Sequence, residues 1–422
     1  MRPSQRAVAA AAVTLAGLLA AGCASASPSR APASPAASVP PVSAQTAQPY
    51  GTATWATLPM GGTGPNLFWQ LFALPDGSTK WQLHTPPGIA TNGAIVLAGQ
   101  DGTTGRAAAP GLVAGVRPSL DLDFSPLIAT SDEGRSWSAL PPVPGLADVP
   151  DALAATSIGR LIALTGKQAV TTLAPAAAST AGDAAADSTG QATLTTKGKL
   201  AQAPGAAACQ LTTLTAVSAG PDGTPLVGGA CARPGVAGIF GYSSGTWRLA
   251  GPTLPASLAT GDIRVLRLTT VGRTVAALLQ AGTGESASLV AAWATAGQPP
   301  DGPMAWSVSP ALALRGASVR SASFGGTGQG VAIALSTGGG AVLAGPRGTW
   351  QALPALPAGR AVVLALPVGR TVQALAADGG TLTVWQLSNA GGHDSTARAG
   401  HWAKVQVIGV PIQYGSSSSG SS

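Results

Sequence analysis

The chain has 422 residues, of which only 9% are charged, while 57 are glycine and 35 are proline. An average soluble protein is about one-quarter charged, so long helices laced with ion pairs are excluded and many short strands joined by tight turns are favoured. The formal net charge is +7, but the basic residues stand singly, without the Lys/Arg cluster that marks a nucleic-acid footprint, and no nucleic-acid partner is expected.

Residues 1–22 carry Arg2 and Arg6, then an apolar run from Ala7 to Gly22. A run of about sixteen residues falls short of the roughly twenty needed to cross a bilayer, but it suits the core of a signal peptide. Its end, Leu18-Leu19-Ala20-Ala21-Gly22-Cys23, resembles a bacterial lipoprotein lipobox, with Ala20 where Leu is commonest. The resemblance implies a lipid on the Cys23 thiol and cleavage before it. The membrane then becomes a partner through Cys23, and the chain is placed on the extracytoplasmic face of the cell membrane. Residues 23–50 are dominated by Ser, Ala, Pro and Val and read as an extended linker. Residues 414–422 read as a Ser/Gly tail.

Between these ends, residues 51–413 carry two interleaved repeats. One is a Trp-led strand at Trp137, Trp247, Trp306, Trp350 and Trp402, with a copy lacking its Trp expected near Thr196–Pro204. The other is a turn followed by an apolar strand, at Asn92-Gly93, Gly159-Arg160, Asp222-Gly223, Gly272-Arg273, Gly328 and Gly369-Arg370. Alternation at roughly fifty residues predicts four-stranded antiparallel blades around an axis: an all-β propeller of seven blades, with six as the alternative. The apolar runs are expected as inner strands and the Trp segments as outer ones. Residues 51–87 hold about three strands, so closure is expected by lending a strand from one terminus to the other, which removes a sheet edge. Thr172–Thr193 and Gly391–Gly400 read as insertions.

The stretch Thr130-Ser131-Asp132-Glu133-Gly134-Arg135-Ser136-Trp137 resembles the Asp-box, or BNR repeat, of β-propellers. It reads as a tight hairpin in which Asp132 accepts from the turn's own amides, Gly134 takes a backbone conformation costly for other residues, and Trp137 starts the returning strand. With the lipobox and the Ala/Gly/Pro bias, the chain resembles Asp-box propeller lipoproteins of actinobacterial type. Photosystem-assembly propellers share that broad architecture. Cys209 and Cys231 flank one predicted hairpin, and an even pair in an exported chain is expected to form a disulfide.

Chemistry is sparse. A sialidase-like hydrolase needs three arginines on the substrate carboxylate, a Tyr activated by Glu, and an Asp acid. Here only Tyr242 with Glu285 offers such a pair, and Val116-Arg117-Pro118 only faintly echoes the Arg-Ile-Pro element. Asp121 and Asp123 share one face of an extended segment, which suits a calcium ligand pair or a solvated turn. His393, Asp394 and His401 lack further ligands, and His84 reads as a blade residue. Arg160, Arg273 and Arg370 recur at one blade position, as turn residues or as a ring on one face. No catalytic residue, metal or cofactor is assigned. The expected role is a binding or assembly scaffold for an unknown protein or glycan, with a glycan-active hydrolase or a glycan/peptidoglycan binder as alternatives. A glycan binder would be expected to carry aromatic shelves, with Trp69, Trp293 and Trp385 as candidates.

Overall fold

The structure is a computed structural model that describes residues 45–50, 53–61, 67–86, 94–99, 111–117, 125–141, 146, 149–156, 160–173, 191–258, 261–271, 273–295, 304–326, 328–367, 371–388 and 400–410. All lie in the compact unit Ser38–Ser422. Cys23, Asp121, Asp123, Arg370, His393 and Asp394 fall outside the described residues, as do the leader, most of the linker and the tail.

Each run of four antiparallel strands is local in sequence. Blade 1 is β1 (Thr46–Tyr50), β2 (Ala53–Gly61), β3 (Phe68–Leu74) and β4 (Gln82–Leu83); blade 2 is β5 (Val96–Gly99), β6 (Leu112–Gly115), β7 (Leu127–Thr130) and β8 (Ser138–Ala139). Blade 3 is β9 (Ala152–Ala155), β10 (Leu161–Thr165), β11 (Ala169–Leu173) and β12 (Gln191–Thr196). A one-turn helix α1 (Lys197–Ala201) leads to blade 4, made of β13 (Leu211–Ala219), β14 (Pro225–Cys231), β15 (Ile239–Ser243) and β16 (Thr246–Leu249). In blade 5, β17 (Ile263–Val271), β18 (Thr274–Ala281) and β19 (Ser288–Thr295) are edged by two short pieces, β20 (Trp306–Val308) and β21 (Leu312–Ala313). Blade 6 is β22 (Val319–Phe324), β23 (Val331–Leu335), β24 (Gly340–Leu343) and β25 (Gln351–Ala352). Blade 7 is β26 (Ala361–Ala365), β27 (Gln373–Asp378), β28 (Thr381–Ser388) and β29 (His401–Gly409).

Hydrophobic packing joins the blades into a ring. Trp55 and Leu71 of blade 1 pack with Val96 and Leu112 of blade 2, and the same cluster reaches Leu153 and Leu161 of blade 3. Ile162 meets Leu214 and Phe240, Ile239 meets Val265, Trp293 meets Phe324, and Ala332 meets Leu364. Leu58 and Phe72 of blade 1 then pack with Val363 and Leu375 of blade 7 and complete the circle. The fold is a seven-bladed β-propeller.

Several expectations change in detail. No strand is exchanged at the closure, because β1 completes blade 1 from the N-terminal side. It begins at Thr46, inside the segment read as linker, and gives residues 46–83 a full blade. The polar, proline-containing Thr-Ala-Gln-Pro-Tyr has no apolar signature because its buried Thr46 and Gln48 are satisfied by hydrogen bonds at the axis, and only Ala47 joins the apolar packing between blades 1 and 7. Five of the six apolar turn-strands (β10, β14, β18, β23 and β27) are the second strand out from the axis, where both faces meet a neighbouring blade. The sixth, after Asn92-Gly93, is innermost. The copy expected near Thr196–Pro204 is the helix α1, capped by the Thr196 side chain, and its fully buried Leu200 fills the core of blades 3 and 4. The strands β11 and β12 also run into the stretch read as the Thr172–Thr193 insertion.

The Trp-led segments do lie at the outer edge, and their indoles tie blades together. The indole N–H groups of Trp306, Trp350 and Trp402 donate to Ala250 O (2.7 Å), Pro310 O (2.9 Å) and Pro354 O (3.4 Å), each just beyond an edge strand of the preceding blade. Trp81 continues the series across the closure. Its indole N–H donates to Gln373 Oε1 at 2.9 Å, while its backbone N–H and C=O are both bound by the Gln406 amide at 2.8 Å.

Candidate functional site

Strand order fixes what can meet at the ends of the ring. Turns from first to second strand and from third to fourth emerge on one face, here called the a–b face. Turns from second to third strand, and the connections between blades, emerge on the other, the b–c face.

The Thr130–Trp137 hairpin joins β7 to β8 on the a–b face. Thr130 Oγ1 donates to Asp132 Oδ1 (2.8 Å) and accepts from Gly134 N (2.9 Å). Ser136 donates to Asp132 twice, from its amide to Oδ1 (2.9 Å) and from its hydroxyl to Oδ2 (2.6 Å). These bonds stabilise the ionised carboxylate, first from the Ser136 hydroxyl and then from its amide, and they pull the Asp132 pKa from 3.8 to about 2. Gly134 has φ +85°, and a Cβ there would stand 2.8 Å from His84 Nδ1 and 2.9 Å from the Trp55 ring. Trp55 in turn meets His84 and Trp137 edge-on, at 5.8 and 6.4 Å between ring centroids. Every polar contact of Asp132 thus stays within its own turn, and the turn's buried side closes the outer rim of blades 1 and 2.

The axis is different. Strand β1 runs among the innermost strands of other blades and hydrogen-bonds to them. Thr46 Oγ1 donates to Ala322 O (2.9 Å) and Ala47 N donates to Ser323 Oγ (2.8 Å) on β22. Gln48 donates from Nε2 to Thr269 Oγ1 on β17, while its Oε1 accepts from the guanidinium of Arg267. Arg267 also donates to Ala322 O at 3.0 Å. Tyr50 donates to Leu97 O of β5 at 3.2 Å. Arg267 is only 6% exposed, and burial pushes its pKa down while hydrogen bonding and charge interaction with Tyr50 push it back up. A buried guanidinium facing neutral acceptors carries a desolvation cost of several kcal/mol. None of this cluster was legible in the sequence, where Gln48 and Arg267 belong to no repeat.

Two openings flank this cluster. A cavity of about 60 Å³ is lined by Tyr50, the ends of β5 and β13, β9, and residues Arg267–Thr270 of β17. Tyr50, Gly99, Ala219 and Thr270 lie at or next to the last residue of their strands, so this cavity faces the a–b end of the axis. A larger cleft of about 380 Å³ lies on the b–c face between blades 6 and 7, beside Gln45, with Arg320, Ser336, Leu356 and Arg360 on its walls. Arg360 pairs with Asp378 at 3.7 Å in the open.

No protein-family model and no curated protein matches this chain. Its fold is similar to solved structures. YCF48 from Cyanidioschyzon merolae superposes with a TM-score of 0.46 at 13% identity, over 82% of this chain and 96% of that one. The Cps50 (Swd1) β-propeller domain of Myceliophteria thermophila gives 0.44 at 12% identity, over 80% and 92%. Kluyveromyces lactis Hsv2 gives 0.42 at 8%, over 87% and 99%. At such distances the likeness concerns architecture alone.

The other sequence candidates disperse. Tyr242 sits at the a–b end of β15, its ring 5.2 Å from Trp247, whereas Glu285 lies in the turn between β18 and β19 on the b–c face, its carboxylate against Gly316. The Tyr/Glu pair of a sialidase-like site is therefore split between opposite faces. Cys209 and Cys231 form a disulfide with 4.8 Å between Cα atoms. Arg160 and Arg273 are exposed at a–b turns of blades 3 and 5, on one face as the repeat suggested. His401 is exposed and bonds to Ser388, and among the described residues no three His, Cys, Asp or Glu side chains converge on a metal position. Trp69 and Trp293 are buried between strands, each 3% exposed, and Trp385 is half-buried. The aromatic shelf of a glycan binder loses its first two members.

Proposed function

We propose that this chain is a lipid-anchored, extracytoplasmic β-propeller that serves as a binding or assembly scaffold, with Cys23 as the lipid attachment site and a protein or glycan as its partner. The observation that carries the binding role is the cleft on the b–c face. Its volume falls within the usual range for ligand sites, and its described lining offers two arginines, one glutamine and one serine among apolar and backbone groups, with no carboxylate, imidazole or thiol. Such a wall suits recognition of a partner. The Cys209–Cys231 disulfide suits an oxidising compartment outside the cytoplasm, which supports the exported reading. The Thr130–Trp137 turn forms the hydrogen bonds expected of an Asp-box, and we assign it to that repeat with a folding role only.

Two measurements test the proposal separately. Cys23→Ala should release the protein from membranes into the medium, and retention would overturn the tether. Arg320→Glu with Arg360→Glu should abolish crosslinking of the anchored protein to its partner in cells, with unfolding unchanged. Turnover of any substrate in a fluorogenic glycoside panel would overturn the scaffold role.

A further inference from the structure

We propose that the axial cavity beside Arg267 is a binding site for a small oxyanion: phosphate, sulfate or the carboxylate group of a small organic acid. The inference deepens the binding-module reading of the ring and does not depend on the membrane tether.

The starting observation is a buried positive charge with no carboxylate against it. The guanidinium nitrogens Nη1 and Nη2 donate to Ala322 O and Gln48 Oε1, both neutral. Nε is buried and has no acceptor. The neighbour that acts on the charge is Tyr50, through charge interaction and a hydrogen bond. Arg267 itself lines the cavity, so a guanidinium on a side chain more than nine-tenths buried borders a small space that opens at the a–b end of the axis. Buried charges are ordinarily paired, and among the described residues no carboxylate faces this one.

The rest of the wall suits an anion. Thr269 brings a buried hydroxyl to the same cavity, whereas the Ser218 proton there is already given to Thr270 Oγ1, whose own proton goes to Ala219 O. Thr269 Oγ1 accepts from Gln48, which leaves its own proton free to donate. The innermost strands β5, β9 and β13 have no sheet partner on the axial side, so some of their amides point toward the axis. A cation would meet the guanidinium, and an apolar guest would leave Nε–H unmatched. Size narrows the class further. At about 60 Å³ the cavity holds a few water molecules or one compact anion, whereas a sugar ring or a nucleotide would not enter.

The test is thermal unfolding and calorimetry of the wild-type protein at fixed ionic strength, with chloride replaced stepwise by phosphate, sulfate or acetate. Acetamide is the uncharged control for acetate. A saturable rise in Tm with at least one oxyanion, one site per chain by calorimetry, and no response to acetamide are expected. Thr269→Val should weaken binding about threefold to tenfold, the loss of one hydrogen bond. Arg267→Met should abolish it, while Arg160→Ala, on the exposed turn of blade 3, should leave it unchanged. If Arg267→Met does not fold, the wild-type titration and Thr269→Val decide the matter. Absence of saturable binding in the millimolar range, or affinity unmoved by both cavity substitutions, would overturn the proposal. Cys23→Ala does not touch this site, so its outcome and the titration fail independently.

Discussion

The rim and the axis of this propeller are held by opposite means. At the rim, one device repeats: a Trp entering the outer strand packs beneath it, and in four blades its indole N–H reaches an acceptor in the preceding blade. At the axis, nothing repeats. Strand β1 is held by a single polar network made of Thr46, Gln48, Ser323, Thr269 and Arg267, each contributed once. Repetition distributes stability over many small increments, so one loss is tolerated. A unique buried network concentrates it, and removal of one member leaves the others unsatisfied.

The largest expected effect is therefore at the axis. Gln48→Leu removes the acceptor of a buried guanidinium and the donor to Thr269, and should lower unfolding free energy in urea by about 2–4 kcal/mol. Arg267→Met added to Gln48→Leu should recover most of that loss, because a matched apolar pair leaves no orphan charge. If the two effects simply add, the network is not the unit that holds β1 and the contrast with the rim fails.

A smaller effect separates rim blades from one another. Trp306→Phe keeps an aromatic ring but loses the 2.7 Å bond to Ala250 O, and should cost about 1 kcal/mol from the hydrogen bond. Trp137 has no acceptor for its buried indole N–H, so Trp137→Phe should cost less than Trp306→Phe when both are measured by urea unfolding. An equal cost would show that ring packing alone explains the repeat.

This difference also explains what could be read from the chain. The Trp segments and apolar second strands were visible because the same packing problem is solved in blade after blade, and that produces a period. The disulfide was visible because the hairpin folds back on itself and brings Cys209, two residues before the Leu211 that pairs with Cys231, close enough to bridge. Apart from β5 after Asn92-Gly93 and β13 in the cysteine hairpin, the innermost strands were not visible. Except for β17, which also pairs with β14, they pair on one side only and sit around a narrow axis, so Ala152–Ala155 or Thr46–Tyr50 carry no strong alternation. Arg267 looked like one of many scattered arginines. Its significance comes from Gln48, 219 positions away in sequence, and no local pattern encodes such a pairing. The helix α1 hid for the opposite reason: Leu200 fills a core position that a Trp strand fills elsewhere, so the site was anticipated but its backbone was not.

The subtlest prediction concerns the rim's one polar turn. Asp132 has a folded pKa of about 2, against 3.8 for a free carboxylate. A depressed folded value means that the ionised form stabilises the fold above the unfolded pKa, and that this contribution is lost as pH falls from about 4 through 2. Asp132→Asn should thus lie below wild type in Tm by a constant offset above pH 5, and the two curves should converge between pH 4 and 2. The leading causes are the two Ser136 hydrogen bonds, whereas Arg135 contributes least, so 0.5 M salt should leave the offset largely in place, unlike that of an exposed ion pair. Ser136→Ala should move the convergence toward pH 4 with Asp132 still present. Convergence unmoved in Ser136→Ala would mean that Asp132 is tuned by something other than its own turn, and the rim would then not be the self-contained half of the molecule.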